Sequence, residues 1–167
     1  MLAQNTLFLA PNKVIACRQI KPEDEGFLYQ VYASTRQEEL ASVNWENHQK
    51  EYFLKTQFTA QHKYYQENYS QAEFLIILLN EVPIGRLYID YRQDEIRLID
   101  IALLPTYRNQ GIGTIFLKEI ITKGQQLGLP ICLHVETYNP ALKLYERFGF
   151  QFLEERGVYY FMKLLPS

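Results

Sequence analysis

An apolar run, Leu98-Ile99-Asp100-Ile101-Ala102-Leu103-Leu104, stops at Pro105, and a helical pattern opens at Ile115-Phe116-Leu117. Between them lies Pro105-Thr106-Tyr107-Arg108-Asn109-Gln110-Gly111-Ile112-Gly113-Thr114. A strand that ends at a proline, crosses a short loop with two glycines and opens a helix is built to hold an anion. The first-turn N–H groups of such a helix lack intrahelical acceptors, and the macrodipole places partial positive charge there. Gly111 and Gly113 let a bulky phosphate approach the backbone without meeting a Cβ, and Arg108 adds a permanent cation. The ligand predicted from this stretch carries phosphates.

Several phosphate loops share that logic, and the details separate them. A dinucleotide fingerprint needs a third glycine three residues after the second, and Phe116 stands there. Glu136, 23 residues after Gly113, does lie roughly where a ribose-binding acid belongs. A P-loop ends in Gly-Lys-Ser/Thr, and Gly113-Thr114 has no lysine. Arg108, Gly111 and Gly113 fit Arg-x-x-Gly-x-Gly, which resembles the pyrophosphate loop of the GCN5-related N-acetyltransferases.

A second segment carries the same resemblance. Thr137-Tyr138-Asn139-Pro140-Ala141-Leu142-Lys143-Leu144-Tyr145-Glu146-Arg147-Phe148-Gly149-Phe150 is similar to that family's Asn-x-x-Ala-x-x-Leu-Tyr-x-x-x-Gly-Phe signature. Its local physics reads independently. Asn139 suits an N-cap, Pro140 the first helical position and Gly149 the left-handed residue after the helix. Tyr145 shares a helix face with Leu142. It reads either as a core aromatic or as a functional phenol. The resemblance extends from Val14 to Leu165.

Composition fits one enzyme domain. The 167 residues suffice for a single core, with residues 1–13 as an N-terminal extension. A net charge of −2 without a basic tract argues against nucleic acid as a partner. Cys17 and Cys132 fall in apolar runs and read as reduced core thiols, which predicts a cytoplasmic protein. No stretch approaches the ~18 apolar residues of a membrane span, and residues 1–13 lack the basic start and apolar core of a secretory signal. A homodimer is left open.

The pattern predicts strands over residues 14–20, 74–79, 82–91, 96–104, 131–136 and 158–164, with one more strand before the last. Helices are predicted over 22–34, 45–68, the phosphate-loop segment to about 126, and the segment after Asn139. The turn at Asn80-Glu81 joins two of the strands. This order implies the α/β (α+β) fold of that family: a mixed, mostly antiparallel sheet with helices on both faces. Two adjacent parallel strands, residues 96–104 and 131–136, are then expected to splay into a V.

The resemblance implies acetyl-coenzyme A as cosubstrate, with no metal. Backbone groups of Ile101 and Leu103 are expected along the pantetheine arm. Arg108, Asn109, Gln110, Gly111, Ile112, Gly113 and Thr114 are expected at the pyrophosphate, with Asn139 and Tyr145 also contacting the cofactor. Tyr145 is the implied acid that protonates the leaving thiolate. The base is less defined. Its equivalent positions are occupied by Arg97 and Ile99, neither of them a base. Asp100 reads either as a base or, pointing to the other face by alternation, as a partner for Arg86.

The acceptor implied is a primary amine of a small molecule or a peptide. A lysine-like ammonium costs about 4.6 kcal/mol to neutralise at pH 7, whereas a peptide α-amine costs about 1 kcal/mol. Without a strong base, an amine of lowered pKa is expected. Tyr32, Arg36, Trp45, Gln57, Gln61 and Tyr64 resemble the substrate region of a bacterial subgroup of the family. Gln57 and Gln61 read either as the lining of a polar pocket or as a solvated helix edge. Arg97, facing the acceptor, favours a substrate with a carboxylate or phosphate over a polycation. The spacing of His48, His62 and His134 is not that of metal ligands. A non-catalytic acyl-coenzyme A sensor of the same fold is the alternative function.

Overall fold

The computed structural model describes residues 7–167. Among the described residues, eight strands form one mixed sheet in the order β1-β2-β3-β4-β5-β6-β8-β7. They are β1 (Leu7–Ala10), β2 (Lys13–Gln19), β3 (Glu73–Leu79), β4 (Val82–Tyr91), β5 (Ile96–Leu103), β6 (Ile131–Glu136), β7 (Gln151–Arg156) and β8 (Tyr159–Leu164). The helices are α1 (Glu25–Ala41), α2 (Asn47–Asn68), α3 (Ile112–Leu127) and α4 (Ala141–Arg147). β5 and β6 run parallel, while β1–β2, β2–β3, β6–β8 and β7–β8 are antiparallel.

The chain divides into two compact units, one up to Leu87 with Ala102–Arg108, the other Tyr88–Ile101 with Asn109–Ser167. In the first unit, Ile15, Leu28, Val31, Phe58 and Ile76 are buried apolar residues at its centre. Asn80 and Glu81 both take positive φ, 48° and 71°, as a two-residue turn with the twist of its strands requires. The Asn80 side chain then accepts from the Val14 N–H at 2.9 Å and donates to the Asn12 carbonyl at 3.1 Å. Cys17 is a free buried thiol that burial, aided by the Glu73 charge, pushes up to about 12, so it stays protonated and inert.

The departures from the sequence expectation that matter most fall at three boundaries. Part of the segment read as an extension, Leu7–Ala10, is a strand paired with β2, and residues 1–6 lie outside the described residues. α1 continues past Ser34 to Ala41. Ser34 and Thr35 return their hydroxyls to the Val31 and Tyr32 carbonyls, at 2.7 and 2.6 Å, and so sit inside a helix without interrupting it. α2 starts after Trp45 because Glu46 and Gln49 form a reciprocal capping box, the Gln49 side chain accepting from the Glu46 N–H at 2.9 Å.

Gly85 on β4 has no room for a side chain. A Cβ there would lie 2.3 Å from the Ala102 carbonyl oxygen and 3.1 Å from the Leu103 Cα. Backbone atoms cannot swing aside as side-chain ends do. Gly85→Ala is therefore expected to destabilise the chain by about 1–3 kcal/mol, the usual cost of overpacking, read as a lower urea midpoint at unchanged slope.

In the second unit α3 buries Ile112, Phe116, Leu117 and Ile120, a stripe at helical spacing. Phe116, the residue standing where a dinucleotide loop has glycine, fills this interior. Gly124 lets the helix approach closely, since a Cβ would sit 3.0 Å from the Leu129 carbonyl oxygen. Gly128 at φ 67° ends the helix, and the Leu129 N–H closes back on the Gly124 carbonyl at 2.9 Å. No helix among the described residues is long and apolar enough to cross a membrane.

Candidate active site

The loop after β5 is shaped for an anion by its backbone. Pro105–Tyr107 makes one 3-10 turn, closed by the Arg108 N–H on the Pro105 carbonyl. Asn109 at φ 60° and Gly111 at φ 84° then turn the chain through the left-handed region, which asparagine and glycine tolerate best. No side chain caps α3, and the Ile115 N–H bonds the Gly111 carbonyl at 3.1 Å. The N–H groups of Ile112, Gly113 and Thr114 precede that first helical bond and have no acceptor within the helix. A Cβ built on Gly113 meets nothing within 4 Å, so open space lies over this turn. Backbone donors, a dipole end and free volume fit a phosphate.

Arg108 has a structural part beside the one expected of it. Its Nε donates to the Leu103 carbonyl at 2.9 Å and its Nη2 to Ser34 Oγ at 3.2 Å. The guanidinium thus braces the end of β5 against α1, and Leu103 has its carbonyl engaged by its own chain. Remaining N–H donors and the full charge of Arg108 still lie on the exposed loop.

The parallel strands part as the sequence led one to expect. Ile96, Arg97 and Leu98 pair with Ile131, Cys132 and Leu133, and among the described residues the β5–β6 pairing goes no further. From His134 to Glu136, β6 remains paired with β8. The edge of β5 that faces β6, including Ile101, is therefore without a strand partner past Leu98. An extended ligand can bond it as a strand would.

Beyond the parting strands stands α4. The helix starts at Ala141, one residue later than expected, with Pro140 and not Asn139 in the N-cap position, while Asn139 Oδ1 accepts from the Ala141 N–H at 2.9 Å. Asn139 Nδ2 also donates to Glu136 Oε2 at 3.0 Å, which engages both ends of an amide expected to meet the cofactor. Tyr145 is buried with its ring edge-on to Phe150, 5.6 Å between centroids. Burial, then the charges of Asp100 and Glu136, pushes its phenol well above the ordinary tyrosine value. Tyr145 is consequently protonated throughout the physiological range.

Arg97 requires a correction. It belongs to the paired end of β5, not the parted one. Its Nε donates to Glu95 Oε2 at 2.9 Å, its Nη1 to His134 Nδ1 at 3.1 Å, and its guanidinium lies 5.3 Å from the centre of the Phe161 ring. It is not a free cation awaiting a substrate anion. His134 is the residue that sequence reasoning passed over. It is exposed between buried Leu133 and Val135, at the first position of β6 beyond the last β5 pair. A titratable ring alternating with apolar strand residues was the available signal. Ile99 is half-buried and offers no proton acceptor.

The residues expected to meet substrate in the first unit separate into two groups. Tyr32, Arg36 and Trp45 gather around Phe53: Arg36 Nη1 donates to the Tyr32 hydroxyl at 2.6 Å and stacks 5.6 Å from the Phe53 centroid, with Trp45 edge-on to Phe53 at 5.4 Å. Glu39 holds Arg36 through two further bonds, at 2.5 and 3.1 Å. Gln57 and Tyr64 are instead exposed, because the buried face of α2 centres on Phe58. Gln61 is half-buried and accepts from Arg86 Nη2 at 3.0 Å. Two glutamines do not line one pocket here.

The sequence profile of the acetyltransferase (GNAT) family matches residues 32–150. The chain belongs to the GNAT acetyltransferase family. Among GNAT relatives, the [ribosomal protein bS18]-alanine N-acetyltransferase of Haemophilus influenzae is 38% identical over 68 residues, 40% of this chain and 47% of that one. N-alpha-acetyltransferase 50 of Danio rerio is 30% identical over 106 residues, 59% of this chain and 63% of that one. This GNAT chain thus matches less than two thirds of the length of either relative. The fold agrees with the PaiA N-acetyltransferase of Thermoplasma acidophilum, solved in complex with coenzyme A, at TM-score 0.66 and 21% identity. That match covers 90% of this chain and 98% of the other. The ribosomal-protein-S18-alanine N-acetyltransferase of Escherichia coli aligns at TM-score 0.61 and 19% identity over 92% and 94%.

Proposed function

We propose that the chain is a single N-acetyltransferase domain that moves the acetyl group of acetyl-coenzyme A onto a primary amine by direct attack. The favoured acceptor is the α-amine of a peptide or of an amino-acid-like molecule. The observation that carries this reading is the place of Tyr145, a phenol buried on α4 beyond the point where β5 and β6 part. A pure binder of the cofactor has no use for a proton donor there. Acetyl-coenzyme A, when bound, supplies the activated thioester.

The chain's own groups have separable tasks in this reading. The N–H groups of Ile112, Gly113 and Thr114, with the turn Asn109-Gln110-Gly111 and the charge of Arg108, hold the pyrophosphate. The unpaired edge at Ile101 orients the pantetheine arm. Tyr145 Oη holds a proton for the sulfur that departs as the C–N bond forms and the C–S bond breaks. The amine's own proton passes to water. Burial, and after it the charges of Asp100 and Glu136, favour the protonated Tyr145 phenol.

Acceptor preference follows from the cost of neutral amine. The carboxylate or histidine sought at Arg97 and Ile99 is missing, so about 4.6 kcal/mol for a lysine-like amine weighs against about 1 kcal/mol for an α-amine. The names of two relatives, an alanine N-acetyltransferase and an N-alpha-acetyltransferase, support the same class. A cytoplasmic setting suits the free buried thiols of Cys17 and Cys132. The test is thiol release from acetyl-coenzyme A across an amine panel. Peptides and amino-acid amides with free α-amines are expected to outpace spermidine and kanamycin. The reverse order overturns the acceptor assignment, and cofactor binding with no release for any amine favours a sensor.

A further inference from the structure

Arg97 and His134 are joined in a way that decides which nitrogen of the imidazole carries the proton. A guanidinium has N–H donors only. Since Arg97 Nη1 lies 3.1 Å from His134 Nδ1, Nδ1 must present its lone pair. Arg97 is itself held in place: Glu95 Oε2 takes its Nε at 2.9 Å, and the Phe161 ring lies under its guanidinium. Phe161 also packs against the imidazole, 5.0 Å between centroids. The ring is therefore oriented from one edge and one face, and Nε2 is the edge directed away from Arg97.

We propose that Arg97 is a positioning residue that fixes His134 as the neutral imidazole with its proton on Nε2, so that His134 acts as a hydrogen-bond donor and not as the proton acceptor. The inference rests on the acetyltransferase reading for its consequence in turnover, not for the state of the ring. To accept a proton at Nε2, the ring needs the opposite tautomer, which places an N–H against the Arg97 donor. To accept one at Nδ1, it must give up the Arg97 Nη1 donor and place an N–H against the guanidinium. Both routes break contacts that the present arrangement satisfies.

The charged surroundings act in the same direction. Partial desolvation of this otherwise exposed ring comes first, then Arg97 from β5 and Arg156 from β7, and together they hold His134 below the ordinary histidine value; Glu154 and Glu95 oppose them. Arg156 is bonded to Glu154 and stacks on Phe161 as well. A ring held toward its neutral form in this way keeps its Nε2 donor over more of the range in which an ordinary histidine switches. Nε2–H is then available to a water or to a carbonyl of the acceptor, in a chain that draws no rate from a histidine base.

Ring nitrogen-15 spectra of the full chain, compared with a His134→Gln variant for assignment, test the state of the ring without any turnover. The expected result is an unprotonated Nδ1 and a protonated Nε2 at neutral pH, with titration below the usual histidine range. Arg97→Met should move that titration upward. In turnover, His134→Gln, whose amide N–H replaces the Nε2 donor, should run about fivefold or more faster than His134→Ala, the worth of one hydrogen bond. A wild-type ring protonated on Nδ1, or one titrating at or above the ordinary value, overturns the proposal. So does an Arg97→Met variant with an unmoved titration, or Gln and Ala variants with equal rates. Absence of acetyl transfer with the expected spectra overturns the enzymatic reading alone.

Discussion

Gly113→Val is expected to leave the fold standing and to remove the stabilisation that coenzyme A gives. The residue lies in the first turn of α3, its φ is not in the left-handed region, and a Cβ there meets nothing of the protein within 4 Å. The Cβ of a valine at this point therefore meets no atom of the protein itself. It fills the open space that the N–H groups of Ile112, Gly113 and Thr114 face. A ligand present at a hundred times its dissociation constant stabilises its protein by about 2.7 kcal/mol, and that increment should vanish. Gly111→Val is the less informative variant. Gly111 sits at φ 84°, where a branched residue costs about 1–3 kcal/mol of backbone strain. Thermal melts of wild type and Gly113→Val, with and without coenzyme A, separate the two effects. An undiminished shift in Gly113→Val moves the phosphate site elsewhere.

The second large effect is expected at Tyr145. Tyr145→Phe keeps the ring and its edge-on contact with Phe150 and deletes only the hydroxyl. The pocket is buried, so phenylalanine suits it and the melting temperature should hold. Turnover should fall about 10²-fold or more, the usual range for one acid–base group, with coenzyme A binding nearly intact. Because burial, Asp100 and Glu136 raise the phenol, its ionisation lies beyond the working range and sets no alkaline limb to the rate near neutrality. The rate of wild type should instead rise with pH until the acceptor amine is deprotonated. Unchanged turnover in Tyr145→Phe makes Tyr145 a core aromatic and leaves the departing sulfur to water.

How far the sequence reached depends on what kind of information each feature needs. The loop from Pro105 to Thr114 was legible because proline, two glycines and an arginine are each tied to a local backbone requirement. The same holds for the Asn80-Glu81 turn, for Gly128 and for Gly149 at φ 94°. β4 and β6 have the bounds that their apolar runs predict. β1 was passed over because four residues before a turn carry little pattern of their own, and pairing with β2 is what makes them a strand. α1 was cut short at Ser34-Thr35, whose hydroxyls are satisfied inside the helix only through back-bonds that composition cannot reveal.

The geometry of the candidate site was legible in its backbone and less so in its side chains. Alternation gives the face of Arg97 but not the position along β5 where pairing with β6 ends, and that position decides its surroundings. Arg108 was read by its charge, whereas its neighbours Leu103 and Ser34 come from distant parts of the chain. Gln57 and Gln61 looked equivalent at helical spacing, yet a rotation of α2 about Phe58 exposes one and brings the other to Arg86. His134 escaped notice because histidines were weighed as metal ligands, while its meaning lies in Arg97 and Phe161 beside it.

One measurement meets the central claim most directly. A peptide with a free α-amine and an internal lysine is incubated with the protein and acetyl-coenzyme A, and the site of acetylation is read by fragmentation mass spectrometry. The proposed chemistry predicts a single acetyl group on the α-nitrogen, absent when that nitrogen is blocked. Acetylation of the lysine side chain, or coenzyme A binding with no acetylated product from any free amine, would contradict it.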